Sequence, residues 1–371
     1  MNPVPPPCNF LDPQFTEILR RYAAAAEQSG DLDPRQLDLI YRENWFNLFV
    51  PQAFGGLERS LPEALRIEEG LAWADGSTGW TVTLCSGAAW FIGYLPGTAT
   101  REIFADPRVC LAGSGMPAGL ARRTAGGYEV SGCWPYASGA NHATVFTANC
   151  RLEAEGKPVL DEMGRPQVIP FWFRREEVQV RRAWKAMGLI ATASHSFEVA
   201  CQVVPPGRAF SLEPRDRILD LPVFAFPFLQ LAESTLSVNL SGMAWRFLEL
   251  CVQQFGETGR GRAGDKGEGE QLLRQTRLAG DRLDAARQDF YESVDRAWQD
   301  VQSGQSVPSG RLREISRQSR RLAAVSRGAV DEIYPYCGMA AAMCDSELNR
   351  VWRNFHTASQ HRLLLFPLAE P

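Results

Sequence analysis

The groups in this chain that could do chemistry are few: four histidines, one carboxylate after an apolar run, and one ribbon that combines aromatic rings with a hydroxyl. The ribbon, Gly126 to His142, alternates as a strand does, with Tyr128 and Val130 on one face and Glu129 and Ser131 on the other. Gly132 marks a bulge or close backbone approach before Trp134, Tyr136 and Ser138. An aromatic face beside a hydroxyl suits a flat, hydrogen-bonding ring, although Trp and Tyr in strands more often fill cores. His142, His195, His356 and His361 are the only imidazoles. His356 and His361 stand five apart in HTASQH, and at about 100° per residue they point about 140° apart on a helix, unlike the paired ligands of an HExxH zinc site. No metal centre is expected. A histidine in such a segment is either a hydrogen-bonded structural group or an acid-base group working near neutral pH.

Glu233 follows FAFPFLQLA at the entrance to an expected helix, Ser234 to Val252. A buried carboxylate there has a raised pKa and can act as a base; the competing reading is that it only opposes the helix dipole. Arginines cluster from Arg311 to Arg327 and at Arg350 and Arg353, mostly a solvated face with one or two candidates for dinucleotide phosphates. The glycine-rich stretch Gly256 to Glu270 does not complete GxxxxGK[ST] and follows a helix, so it reads as a flexible connection.

Three regimes of periodicity must position these groups. From Pro13 to about Asp106 apolar residues recur at three and four, with Asp75 to Thr78 capping a buried apolar helix from Gly79 to Leu95. From Arg108 to about Pro206 the period falls to two. Six candidate strands, Val109–Ala112, Tyr128–Gly132, Thr144–Arg151, Gln167–Arg174, Val178–Arg181 and Ser196–Val204, point to an antiparallel barrel or sandwich. From Phe224 onward helix returns, and the stripe Leu272, Thr276, Ala279, Leu283, Ala286, Phe290 fits a bundle.

The 371 residues carry 39 basic and 43 acidic side chains, a net charge of -4, which excludes the positive field that nucleic acid requires. The N-terminus lacks a basic segment followed by an apolar one, and Asp220, Pro222, Pro227 and Glu233 interrupt the longest apolar tract, Leu219 to Leu240. Neither export nor membrane insertion is expected. Nine scattered cysteines without a CxxC pair read as reduced thiols of a cytoplasmic protein.

Several segments together resemble the acyl-CoA dehydrogenase superfamily: ENWFNLFVPQAFGGLE from Glu43, GSGMPAG from Gly113, the ribbon, WKAMGLIATASHSFEV from Trp184 with VVPP to Pro206, and CGMAAAMCDSELNRVWRNFHTASQH from Cys337 to His361. The resemblance implies an α+β fold with an N-terminal helical domain (1–107), a central β-domain (108–212) and a C-terminal four-helix bundle (213–371). The WPYASGANHA and HTASQH forms are more similar to the flavin-dependent, two-component monooxygenase branch. That branch hydroxylates aromatic or heteroaromatic compounds with O2 and reduced flavin, FAD or FMN, delivered by a separate reductase.

The resemblance places Tyr136 against the flavin and the Ser138 hydroxyl at its N5 edge, with backbone from Ser114 to Met116, a wall from Trp184 to Ser194, and Gly338 as further cofactor contacts. Laid on Arg353, the dehydrogenase motif puts Asn354 for its Asp, His361 for its Tyr and Arg362 for its catalytic Glu, so that base is missing. The monooxygenase branch instead favours His361, then His356, as the acid-base group. The alternative is an acyl-thioester dehydrogenase with Glu233 as base. Assembly as a homotetramer through the bundle is also implied.

Overall fold

The computed structural model describes residues 3–261 and 266–365. It opens with α1 (Pro13–Ser29), α2 (Pro34–Arg42), α3 (Leu61–Ala74), α4 (Gly76–Ala89) and α5 (Gly97–Ile103). Local chemistry sets these boundaries. Asp12 accepts from the Gln14 N–H ahead of Pro13, Ser60 and Glu63 close a capping box on α3, and Gly30 ends α1 in the left-handed conformation at φ 74°. The expected Asp75 cap is present, its carboxylate accepting from the Thr78 N–H at 2.9 Å. The following helix starts at Gly76 and tightens into a 3-10 turn over Trp90–Tyr94 rather than running on to Leu95.

Strands β1 (Leu111–Thr124), β2 (Gly127–Ala137), β3 (Val145–Ala154), β4 (Lys157–Pro158), β5 (Val168–Arg174), β6 (Gln179–Arg181) and β7 (His195–Val204) form one sheet in the order β4-β3-β1-β2-β7-β6, with β5 also paired to β3. The six expected strands are all found, with β1 and β2 longer than their periodicity shows because bulges between Ser114 and Gly119 and between Trp134 and Ala137 interrupt the alternation. The expectation of a purely antiparallel arrangement is corrected: β1 and β3 run parallel, Leu111 opposite Val145, and among the described residues the ladder does not close. Trp134, Phe146, Phe171, Phe173 and Phe197 fill the core of this sheet, where Trp134 stacks on Phe197 at 5.1 Å and donates from its indole N–H to the Asn149 carbonyl.

The chain then returns to helix with α6 (Pro222–Ala225), α7 (Phe228–Gly261), α8 (Lys266–Gln302), α9 (Ser309–Ile333), α10 (Met339–Ala342) and α11 (Glu347–Ala358). The α7 helix packs against α3, α4, α8, α9 and α11, so it is the axis on which both helical parts close. It starts at Phe228, not at Ser234, because the one apolar run before Glu233 is itself helical. Of the expected glycine-rich connection, residues up to Gly261 and from Lys266 are helical, and 262–265 lie outside the described residues. No helix among the described residues is long and apolar enough to cross a membrane.

Candidate functional site

After Trp134 the β2 backbone turns over. Tyr136 sits at φ 68°, a left-handed conformation that costs a tyrosine about 1–3 kcal/mol, and its ring is 63% exposed. Two residues on, Ser138 is buried. Its hydroxyl lies 2.8 Å from that of Ser194, which lies 2.6 Å from that of Thr192, which donates to the Leu189 carbonyl at 2.7 Å. Each hydroxyl has one proton to give. Thr192 spends its proton on the carbonyl, so Ser194 donates to Thr192 and Ser138 donates to Ser194. Ser138 Oγ is left with lone pairs only, an acceptor for a donor group from outside the protein.

The segment between β6 and β7 stands beside this edge. Trp184 meets Tyr136 edge-on at 6.3 Å between ring centres and donates from its indole to the Leu189 carbonyl at 2.9 Å. His195 Nδ1 accepts from the Trp184 N–H at 3.3 Å, and burial, then the nearby Arg182, push that imidazole below its ordinary pKa. The segment is pinned to α11: the Leu189 N–H donates to Asn354 Oδ1 at 2.6 Å, Arg353 donates to the Met187 carbonyl at 2.7 Å, and a Cβ on Gly188 would lie 2.1 Å from the Arg353 carbonyl oxygen. Only glycine permits that approach. Leu189 and Ala193, at φ 51° and 44°, are strained in the same left-handed region as Tyr136.

Ser114 and Met116 lie at the β1 bulge, where Ser114 Oγ accepts from the Met116 N–H at 3.4 Å and Met116 is exposed. Tyr136 and Met187 are also exposed, on the ribbon and on the segment that borders Ser138. Gly338 is elsewhere, an exposed residue at the start of α10 beside Cys337, which Gln254 ties to α7.

His361 follows α11 and caps a 3-10 turn, its Nδ1 facing the Leu363 N–H at 3.4 Å. Its ring meets Trp80 of α4 edge-on at 6.1 Å, and burial lowers its pKa. One turn along α4, Cys85 Sγ lies 3.6 Å from the Ser138 carbonyl, and a Cβ on Gly139 would sit 2.7 Å from that sulfur. Thus α4 spans from the Ser138 edge to His361. His356 is on another face of α11: it packs on Trp352 at 4.4 Å, with Nε2 3.3 Å from Asp331 Oδ1 but without hydrogen-bond geometry. Burial lowers its pKa, against the opposing charge of Asp331 and with that of Arg327.

Glu233 is fully buried in the second turn of α7, with one oxygen accepting from Arg320 at 2.7 Å and the other from Ser316. Both partners come from α9, so the carboxylate joins two helices, which corrects its placement at a helix entrance. Of the aromatic rings where the end of α4 meets α6 and α7, Trp90, Phe224 and Phe226 are sealed in the core, whereas Phe91 and Phe228 are partly open and meet at 5.2 Å. Thr192 and Trp80 have no role legible in the sequence, and Asn354, at the Asp position of the dehydrogenase motif, holds the Leu189 N–H. Thr192 was signalled only by the small polar run ATAS around it.

Two open concavities, of ≈ 730 Å³ beside Tyr41, Asn47 and Phe104 and of ≈ 360 Å³ between Trp245 and Thr276, contain neither Ser138 nor His361. Converging chemistry rather than either volume locates the candidate site. Among the described residues no three His, Cys, Asp or Glu side chains converge to hold a metal ion.

Residues 235–366 match the family model described as acyl-CoA dehydrogenase, C-terminal domain. The chain is 29% identical over 337 residues to indole-3-acetate monooxygenase of Pseudomonas putida, covering 88% of this chain and 82% of that one. It is 23% identical over 353 residues to a flavin-dependent monooxygenase oxygenase subunit of Rhodococcus jostii, covering 92% and 91%. The structure of XiaF from Streptomyces in complex with FADH2 and glycerol superposes with a TM-score of 0.84 at 23% identity, over 95% of this chain and 89% of that one, a likeness of fold. The C-terminal part of the chain thus matches the acyl-CoA dehydrogenase C-terminal family model, and the relatives it resembles over most of its length are named as monooxygenases, one of them the oxygenase subunit of a flavin-dependent enzyme.

Proposed function

We propose that this chain is the oxygenase component of a two-component flavin-dependent monooxygenase that hydroxylates an aromatic or heteroaromatic small molecule. The observation that carries the reading is the proton order at the sheet edge, which leaves Ser138 Oγ able only to accept. The N5 edge of a flavin bears a hydrogen when reduced and a lone pair when oxidised, so an acceptor favours the reduced form. Tyr136, exposed and edge-on to Trp184 beside Ser138, offers aromatic surface for a planar ring. When bound there, reduced FAD or FMN would supply the electrons that activate O2.

The chain's own residues do the rest. Ser138 orients the ring edge, and Ser194 and Thr192 hold its proton inward. His361, whose Nδ1 accepts from the Leu363 N–H, carries its proton on Nε2 when burial keeps it neutral and donates that N–H to the oxygen of a phenol or to the charge that develops on it, while Trp80 fixes the imidazole plane. Phe91 and Phe228 exclude water at the far end of α4 from His361. Electron supply from a separate reductase, a homotetramer built on the C-terminal helices and a cytoplasmic setting complete the reading. The acyl-thioester alternative is disfavoured because both oxygens of Glu233 are already taken.

The test supplies photoreduced FAD or FMN and 18O2 to the protein with a panel of phenols and indoles. The expected result is one labelled oxygen in the aromatic product. Flavin reoxidation without labelled product across the panel, with anaerobic bleaching of bound flavin by an acyl thioester, overturns it.

A further inference from the structure

We infer that Gly87 sets the size of ring system the protein accepts, the open strip along α4 being shaped for a two-ring phenol. The inference rests on the monooxygenase reading and names its substrate class. From Gly76 to Trp90 every residue is buried except Leu84 and Gly87. With Trp80 they fall at spacings of four and three, one face of the helix, and Phe91 follows in the 3-10 turn. The other faces are closed: Ser86 Oγ donates to Glu68 of α3 at 3.0 Å, Thr83 Oγ1 accepts from Asn239 of α7 at 2.7 Å, and Cys85 packs under Ser138.

The neighbouring glycines show what is particular about this one. A Cβ on Gly76, Gly79 or Gly93 would meet a neighbouring atom at 2.6, 2.5 or 2.4 Å, so close packing requires glycine at each. A Cβ on Gly87 meets nothing within 4 Å. Glycine inside a helix lowers its stability, so the fold of α4 has no use for it there. What glycine provides is space on the strip.

The strip has two ends. His361 stands over Trp80 at 6.1 Å, and Phe228 closes on Phe91 at 5.2 Å. Eleven residues at a rise of about 1.5 Å separate those ends by about 16 Å, with Gly87 between them. Gly87 lies seven residues, about 10 Å, from the Trp80 end, a distance that a two-ring phenol with its hydroxyl oxygen toward His361 reaches and a single ring does not.

The experiment compares wild type with Gly87→Ala and Gly87→Leu. Binding of phenol and of 2-naphthol is titrated anaerobically in the presence of reduced FAD, and labelled product is then measured under 18O2. Leucine is expected to weaken 2-naphthol binding about ten-fold or more while phenol stays within about three-fold, with alanine between. Melting temperature serves as the control, and alanine alone carries the test if the leucine variant does not fold. Equal loss for both ligands, or no change for either, in a folded variant of an active protein overturns this inference alone. A wild type that binds 2-naphthol but labels no substrate overturns the monooxygenase reading and leaves the ring-size assignment standing.

Discussion

Between α3 and α8, Glu69 accepts from Arg287 at 2.7 and 2.9 Å, from Tyr291 at 2.8 Å and from Ser241 at 2.5 Å, and Arg287 also reaches Asp284 and the Pro5 carbonyl. At the sheet edge, Ser138, Ser194 and Thr192 form a chain of hydroxyls at 2.8 and 2.6 Å, and among the described residues nothing donates to its outer end. Both clusters are buried and polar, but the first is closed on itself. Burial opposes the Arg287 charge, yet the charge and hydrogen bonds of Glu69 hold its pKa above the ordinary value. A network whose partners are all internal has nothing left for a ligand. The hydroxyl chain ends in a free acceptor and is flanked by strained backbone at Tyr136 and Ala193, the marks of a site held ready for something else.

Substitutions that separate stability from binding test this contrast. Arg287→Met leaves Glu69 as a buried, unpaired charge and should cost about 3–5 kcal/mol in denaturant unfolding. Reduced-flavin affinity of the folded fraction should stay at the wild-type value, and a loss there would join the two clusters. Ser138→Ala should cost only about 1 kcal/mol of stability, because Ser194 keeps Thr192 as its partner. Its reduced-flavin Kd should rise about ten-fold, close to 1.4 kcal/mol, and an unchanged Kd would remove the free acceptor from the argument.

The smallest effect is expected from titration of His361. Burial depresses its folded-state pKa below the unfolded value, so its stabilising contribution is present above the unfolded pKa of about 6.5 and is lost as pH falls through the folded value. Hydroxylation should be flat above about pH 7 and fall on the acid side, where protonation of Nδ1 breaks its bond to the Leu363 N–H and releases the ring. His361→Gln should remove that acid limb, whereas His356→Gln should retain it, because His356 packs on Trp352 beside Asp331 instead of facing Trp80.

The parts of the fold that were legible in the sequence are those with local causes. The Asp75 cap, the six strands and the stripe on α8 each follow from residues within a few positions of one another. The two extensions that were not legible, in β1 and β2, lie where bulges break the period of two, and the parallel pairing of β1 with β3 has no period of its own. The site follows the same division. Ser138 and Tyr136 stand out in the ribbon, but Thr192 completes the proton order from 54 positions away, and Trp80 meets His361 from another helix.

Residue types and spacing by themselves determined where helix and strand alternate, that no broad positive field exists, and which ribbon sets Tyr136 two residues before Ser138. Tertiary structure alone decided which polar groups would be used up. Glu233, read locally, is a buried carboxylate available as a base; in the folded chain Arg320 and Ser316, more than 80 positions later, occupy it. Ser138 is one serine among many until Ser194 and Thr192 fix the direction of its proton. Periodicity is a property of neighbours along the chain, whereas the satisfaction of a buried donor or acceptor depends on whatever the fold brings within 3 Å of it.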